Sequence, residues 1–217
     1  LEQVFDRFSE NYERWYDTPE GQAVFHAELK CIRLLCGHLR GRWLEVGVGT
    51  GRFASSLGIA MGIDPSLPML RMAAKRGIRT CAGYAESLPF PKDSFHGVLL
   101  ALTLCFVEDP DKALRECSRV LKPEGKLLLG VIPADSPWGR AYERKKEQGH
   151  PIYRSAVFYC LPEIYAWAQD IGFYLESTAG TLCWDPEEPP EIEPRVEAGI
   201  HPHAGFAALL FGKKATP

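Results

Sequence analysis

The sequence predicts an α/β protein with a mostly parallel sheet and helices on both of its faces. Three observations carry that expectation. Short apolar runs alternate with amphipathic stretches through the middle of the chain, joined by short links. Phe95 to Leu102 is almost continuously apolar, the pattern of a strand buried on both faces. The run Trp43-Leu44-Glu45-Val46 stops at a cluster of glycines, where a strand can turn tightly into a helix.

Taken in order, Leu1 to about Leu39 reads as two helices broken at Asp17-Thr18-Pro19. Thr18 suits an N-cap and Pro19 the first helical position, where its missing N–H costs nothing. Val24, Leu29, Ile32, Leu35 and Leu39 then recur at roughly helical spacing. After the Trp43–Val46 strand a helix is expected to start near Thr50, then a strand over Ile59–Ile63 and a helix from Ser66 to about Lys75. Gly47 and Ile59 are only about a dozen residues apart, so the right-handed crossover between those strands has little room. Ile78–Cys81 and Phe95–Leu102 are the next strands. Asp111–Leu121 is amphipathic, with Ala113, Leu114, Cys117 and Leu121 on one face, and it ends at the turn Lys122-Pro123-Glu124-Gly125 before a strand over Lys126–Ile132. The tail predicts helices over Trp138–Gln148 and Pro162–Ile171 and strands over Phe173–Trp184 and Gly205–Gly212, the last two forming an antiparallel edge. Between them Asp185–His203 is rich in proline and glutamate and too long for a simple hairpin, which leaves a functional loop or a mobile one.

Composition narrows the class of protein. At 217 residues, with 46% hydrophobic and 24% charged, the chain is expected to be one domain with a sizeable core. A net charge of −3 counts against a nucleic-acid binder that uses its whole surface. No apolar stretch reaches the roughly 18 residues of a membrane span. Glu2, Asp6 and Arg7 do not resemble the start of a signal peptide, and a cytoplasmic protein is expected. Cys31, Cys36, Cys81, Cys105, Cys117, Cys160 and Cys183 are scattered with no C-x-x-C pair, so they read as reduced thiols and not as a disulfide framework or zinc site.

The chemistry concentrates at Glu45-Val46-Gly47-Val48-Gly49-Thr50-Gly51. Alternate glycines let the backbone approach a ligand without side-chain obstruction, though such a run alone also fits any tight strand-to-helix turn. Glu45 places a carboxylate at the strand's mouth, which would repel a pyrophosphate but suits a cationic amine. Asp64 ends the second strand, where an acid can accept both ribose hydroxyls of a nucleoside. Together they describe a pocket for a nucleoside that carries an amine and no phosphate. S-adenosylmethionine fits that description. A nicotinamide dinucleotide fits less well, because G-x-G-x-x-G is replaced by G-x-G-x-G with an acid in front.

Ordered motifs support this reading: Phe5-Asp6-Arg7-Phe8, Trp15-Tyr16-Asp17-Thr18-Pro19, the glycine run, Gly62-Ile63-Asp64-Pro65-Ser66, Gly83-Tyr84-Ala85-Glu86-Ser87-Leu88-Pro89-Phe90, Val107-Glu108-Asp109-Pro110 and Arg119-Val120-Leu121-Lys122-Pro123-Glu124-Gly125. Over roughly Phe5 to Ile132 the chain resembles the class I S-adenosylmethionine-dependent methyltransferases, closest to the small single-domain group that includes quinone-biosynthesis C-methyltransferases. The resemblance implies a Rossmann-like, doubly wound, mostly parallel seven-stranded sheet with an antiparallel edge strand. It also implies a single domain over 1–217, in which 1–39 form a helical lid, 40–132 the cofactor-binding core, and 133–217 a substrate-side segment and final strands. By the same resemblance Glu45 would orient the methionine amine while Gly47 and Gly49 pass beneath it, and Asp64 would hold the ribose. Pro65 and Met69 would lie near the adenine, Ala85 would offer it a backbone N–H, and Ala101 would face the methionine portion. Tyr84 stands where relatives often have aspartate, so the adenine amine would meet Tyr84, Glu86 or water. Cys105-Phe106 replaces the histidines that many relatives carry after the fourth strand.

Other candidates have two readings each. Tyr12, Trp15 and Tyr16 either close over the cofactor or pack a terminal helix. Cys105 is a reactive thiol or a packed one, with packing favoured. Arg140, Arg144, Lys145 and Lys146 read more readily as a solvated helix face than as an anion site, and His201 and His203 more readily as loop residues than as catalysts or metal ligands. Tyr142, Tyr153, Phe158 and Tyr159 make Trp138–Leu161 aromatic and suggest a small, partly apolar acceptor entering there. No catalytic dyad stands out. The expected activity is methyl transfer to a small molecule; the rivals are an NAD(P)-dependent oxidoreductase and a cofactor-binding module without turnover.

Overall fold

Thr18 and Pro19 divide the N-terminal region as their chemistry dictates. In the computed structural model, which describes residues 2–37, 39–191, 193–199 and 203–214, α1 (Glu2–Trp15) ends in a short turn and α2 (Pro19–Cys36) follows. Thr18 Oγ1 accepts the Gly21 N–H at 3.0 Å, satisfying one of the free donors of the first turn of α2.

The strands are β1 (Trp43–Val46), β2 (Met61–Asp64), β3 (Arg79–Ala82), β4 (Phe95–Ala101), β5 (Leu121–Val131), β6 (Phe173–Thr181), β7 (Glu197–Ala198) and β8 (Phe206–Lys213). Among the described residues they form one eight-stranded sheet in the order β3-β2-β1-β4-β5-β8-β6-β7. The first five are parallel, while β8 pairs antiparallel with both β5 and β6. The eighth strand, β7, comes from the proline-rich segment that the sequence leaves as a loop; Thr181 Oγ1 donates to the Arg195 carbonyl at 2.6 Å and holds that segment to the end of β6. β8 and β6, with the short β7 outside them, form the antiparallel edge expected of the tail. β5 begins earlier than expected, with a register shift opposite Phe95–Gly97 where Glu124 takes a left-handed φ of 62°.

The remaining helices are α3 (Arg52–Leu57), α4 (Leu67–Lys75), α5 (Pro110–Val120), α6 (Pro137–Glu147) and α7 (Leu161–Asp170). Strand periodicity sorts the core into two layers. Leu99 and Leu128 face a cluster with Ile32, Phe53 and Leu70 from α2, α3 and α4. Val98, Leu100, Leu127 and Leu129 face the opposite cluster with Leu114 and Ile164 from α5 and α7. The tight link after β1 is resolved by making α3 only six residues long, between Gly51 and Gly58, both in left-handed conformations. No helix among the described residues is long and apolar enough to cross a membrane.

Ala27, Cys31 and Ile32 of α2 are fully buried in the core, while α1 packs beside α4. α1 is fastened there by Glu13, whose carboxylate binds Arg52 and Arg76, and Arg52 also reaches Asp17 at 2.9 Å. Burial alone would raise the Glu13 carboxyl, but hydrogen bonds from Arg52, Thr50 and Arg76 hold it below its ordinary 4.5. A lowered native value means that this stabilisation is complete above pH 4.5 and is lost as acid titrates through the lower value. Glu13→Ala is expected to cost about 1–2 kcal/mol at pH 7, the range of a charge-assisted network that is partly solvated. Thermal unfolding should show the gap from wild type narrowing as pH falls below 4.5; a gap that widens in acid would contradict the assignment.

Candidate functional site

The glycine run turns because all three glycines are left-handed, with φ of 71° at Gly47, 51° at Gly49 and 82° at Gly51. The N–H groups of Gly47 and Val48 both donate to the Ile63 carbonyl, at 2.8 and 3.0 Å, and pin the loop across the top of β2. The glycines then differ in what surrounds them. A Cβ on Gly47 would stand 2.3 Å from the Thr103 side chain, whereas one on Gly49 would meet nothing within 4 Å. The loop is clamped at the first and bare at the second.

Asp64 closes β2 beside it. Its Oδ2 accepts the Gly49 N–H and its Oδ1 the Ser66 N–H, each at 2.9 Å. Burial pushes its carboxyl up, those two N–H groups pull it down, and the neighbouring Asp6 raises it further. Asp6 arrives from α1 and accepts the Ser66 hydroxyl at 2.7 Å. Glu45 and Asp64 end adjacent parallel strands, so both acids stand at the same edge of the sheet.

A cavity of about 450 Å³ opens over this edge. Eight residues expected at a cofactor site line it: Gly47, Gly49, Asp64, Pro65, Met69, Ala85, Glu86 and Ala101. Two do not. Glu45 is 1% exposed and does not reach the wall; its Oε2 has no hydrogen-bond partner, and burial drives its carboxyl well above the usual range. Tyr16 is buried away from this cavity with Arg52 stacked 4.9 Å from its ring centroid, and Tyr12, one helical turn earlier, lines the cavity in its place. Glu86 is at the wall, but its Oε1 already accepts the Glu108 N–H at 2.8 Å and the Asp109 N–H at 3.3 Å. Tyr84 is also at the wall and 53% exposed.

A second chamber of about 320 Å³ lies beyond a partition shared by Tyr12, Leu102 and Phe106, which line both spaces. Phe5 of α1 buttresses that partition edge-on to Phe106, with centroids 5.0 Å apart. Leu102 has φ of 55°, a conformation that costs a branched residue energy and that concentrates at functional loops. Trp15, Tyr16, Tyr142, Tyr153 and Phe158 make the second chamber aromatic, and Glu28 brings a carboxyl into it. Tyr159, expected with them, instead packs on Trp167 with centroids 4.9 Å apart. Cys105 lines the chamber as a packed thiol, pushed up to about 12 by burial.

The family model for the methyltransferase domain matches residues 44–129, the span from β1 through β5. A solved S-adenosylmethionine-dependent methyltransferase of Thermotoga maritima, described as a possible histamine N-methyltransferase, superposes with a TM-score of 0.90. The two are 36% identical over 99% of this chain and 100% of that one. The chain belongs to the S-adenosylmethionine-dependent methyltransferases. An uncharacterized protein of Methanocaldococcus jannaschii is 34% identical over 95% of this chain and 97% of its own. A demethylmenaquinone methyltransferase of Renibacterium salmoninarum is 33% identical, but over only 58% of this chain and 60% of its own.

S-adenosylmethionine is therefore the methyl donor, and the dinucleotide alternative falls away. The residues at the strand edge fit the donor: a bare glycine for close approach, an acid at the end of β2, and an unpartnered buried carboxyl oxygen on Glu45. Among the described residues no group of three acidic, histidine or cysteine side chains is placed to hold a metal. All seven cysteines are free, His203 is exposed, and His201 lies outside the described residues. The basic run on α6 behaves largely as a solvated face: Arg144 pairs with Glu187 at 2.9 Å and Arg140 binds the Asp135 carbonyl.

Sequence reasoning missed Thr103, the clamp on Gly47, and Glu28. Thr103 carries no sequence signal. Glu28 does, since it falls four residues from both Val24 and Ile32 on the apolar stripe of α2, where a charge is out of place.

Proposed function

We propose that this methyltransferase moves a methyl group from S-adenosylmethionine to a small-molecule acceptor, with the donor in the cavity over Gly49 and Asp64 and the acceptor in the aromatic chamber behind it. The observation that carries this reading is the shared partition of Tyr12, Leu102 and Phe106: two spaces of ligand size meet at one wall. The donor supplies a methyl group already activated on a sulfonium. The chain's own work is then to align the two partners and keep water out, and alignment alone is worth roughly 7–11 kcal/mol of barrier. Asp64 would hold the ribose diol through the lone pairs that Gly49 and Ser66 leave open, and Glu45 would answer the methionine amine from below the loop. Pro65, Met69 and the Ala85 N–H would frame the adenine, with Glu86 bracing the loop beside it, and Ala101 would face the methionine portion. In this reading residues 1–217 act as one domain, with α1 as the lid, 40–132 as the donor-binding core and 133–217 supplying acceptor walls.

Asp64→Ala tests the placement of the donor. One or two charge-assisted hydrogen bonds at roughly 1.5–3 kcal/mol each predict a loss of about 10–100-fold in S-adenosylhomocysteine affinity. Calorimetry on the folded variant checks it, and unchanged affinity would mean that the sugar binds elsewhere. Transfer of label from the donor to small molecules, and not to protein or nucleic acid, tests the acceptor class.

A further inference from the structure

Glu28 is the chemically conspicuous group of the aromatic chamber. It is 2% exposed, it lines the space, and its Oε2 has no hydrogen-bond partner. Among the described residues no cation pairs with it. The tyrosines around it are engaged with one another: the Tyr12 and Tyr16 hydroxyls lie 2.9 Å apart, and the Tyr142 and Tyr153 rings pack with centroids 4.5 Å apart. An ionised carboxylate left in such a place costs several kcal/mol unless a positive charge or a donor meets it. The surrounding rings favour a positive charge, because aromatic faces attract cations. Lys145, exposed at the rim, already illustrates this with its ammonium 5.1 Å from the centroid of Tyr142.

We propose that the chamber recognises a small amine with an apolar or aromatic body, its protonated nitrogen bound to Glu28 and framed by the rings of Tyr12, Tyr16 and Tyr142. This rests on reading the chamber as the acceptor site. A carboxylate ligand would set a second acid against Glu28, and an alcohol would bring no positive charge to draw out its ionisation. The amine supplies both the donor and the charge that the chamber lacks, and its body covers the aromatic walls.

The test uses matched pairs: phenethylamine with 2-phenylethanol, tryptamine with tryptophol, and cyclohexylmethylamine with cyclohexylmethanol. Each is titrated into the full chain saturated with S-adenosylhomocysteine, and each is offered as acceptor with labelled donor. The expected result is that at least one amine binds about 10–30-fold tighter than its alcohol and takes up label: Glu28 accepts the ammonium proton, the freed nitrogen lone pair forms the new C–N bond as the S–CH3 bond breaks, and S-adenosylhomocysteine leaves. Glu28→Gln should erase that preference while leaving S-adenosylhomocysteine affinity unchanged, which also shows that the variant is folded. With donor-product binding intact, equal affinity for amine and alcohol, no labelled amine, or an undiminished preference in Glu28→Gln would each overturn the amine assignment and leave the donor site standing. A wild-type chain that fails to bind S-adenosylhomocysteine would instead sink the two-chamber reading and this one with it.

Discussion

Gly49→Val is expected to reduce S-adenosylhomocysteine binding by at least about 100-fold while the chain stays folded. The position is unusual in separating the two effects. A Cβ there meets no atom within 4 Å, so a side chain at this position starts into open space, whereas one at Gly47 starts against Thr103. That space belongs to the cavity assigned to the donor, and a branched side chain would occupy it. The cost to folding is limited to holding valine at a φ of 51°, on the order of 1–2 kcal/mol. Gly47→Val makes the contrast, since its Cβ would stand 2.3 Å from Thr103 and damage the loop itself. Calorimetry and thermal unfolding on both variants check the distinction. A Gly49→Val protein that binds the ligand normally would remove the glycine loop from the donor site.

The free enzyme is expected to lose stability as pH rises from 4.5 toward 8, and Glu28→Gln is expected to remove the share that Glu28 contributes, the raised Glu45 and Asp64 carboxyls contributing the rest. Burial raises the Glu28 carboxyl from its ordinary 4.5 to about 8. Between those values the unfolded chain ionises the group while the native chamber keeps it protonated. The unfolded state is favoured progressively across that interval, and the effect levels off above it. With the amide's own burial cost discounted at every pH, the roughly 4 kcal/mol swing leaves the variant more stable than wild type by about 2–3 kcal/mol at pH 8 and less stable by about 1–2 kcal/mol at pH 4.5. Denaturant unfolding across this range measures the difference, in which titrations common to both proteins cancel. A variant less stable than wild type at pH 8 would show that Glu28 has a partner that answers its charge. Together with the amine titrations, a gain in stability would mark Glu28 as a residue kept for binding at the expense of folding.

Much of the fold was legible because its signals are local. Thr18-Pro19, Ser66 and Asp109 announce helix starts through their capping oxygens, and the alternating Val98-Leu99-Leu100 pattern announces a strand with helices on both faces. The proposed donor site was legible for a related reason: Gly47, Gly49 and Gly51, which need left-handed backbone, directly follow one strand, and Asp64 ends the next. The chamber proposed for the acceptor is assembled differently. Glu28, Tyr12, Tyr142 and Tyr153 come from four separate segments, and only tertiary packing reveals that Tyr12 reaches the partition while Tyr16 turns away. The place of the last strand escaped for the same reason: Gly205–Gly212 reads as a strand, but its position between β5 and β6 is set by pairing at long range.

The aromatic chamber takes its walls chiefly from α1, α2, α6 and the turns around them, whereas the cavity proposed for the donor is lined chiefly by the segments that follow β1, β2, β3 and β4. Substitutions at the outer helices therefore fall mostly on surfaces that cavity does not use. A lineage with this architecture has room to trade one substrate for another by retailoring those helices, with its grip on the shared reagent left intact.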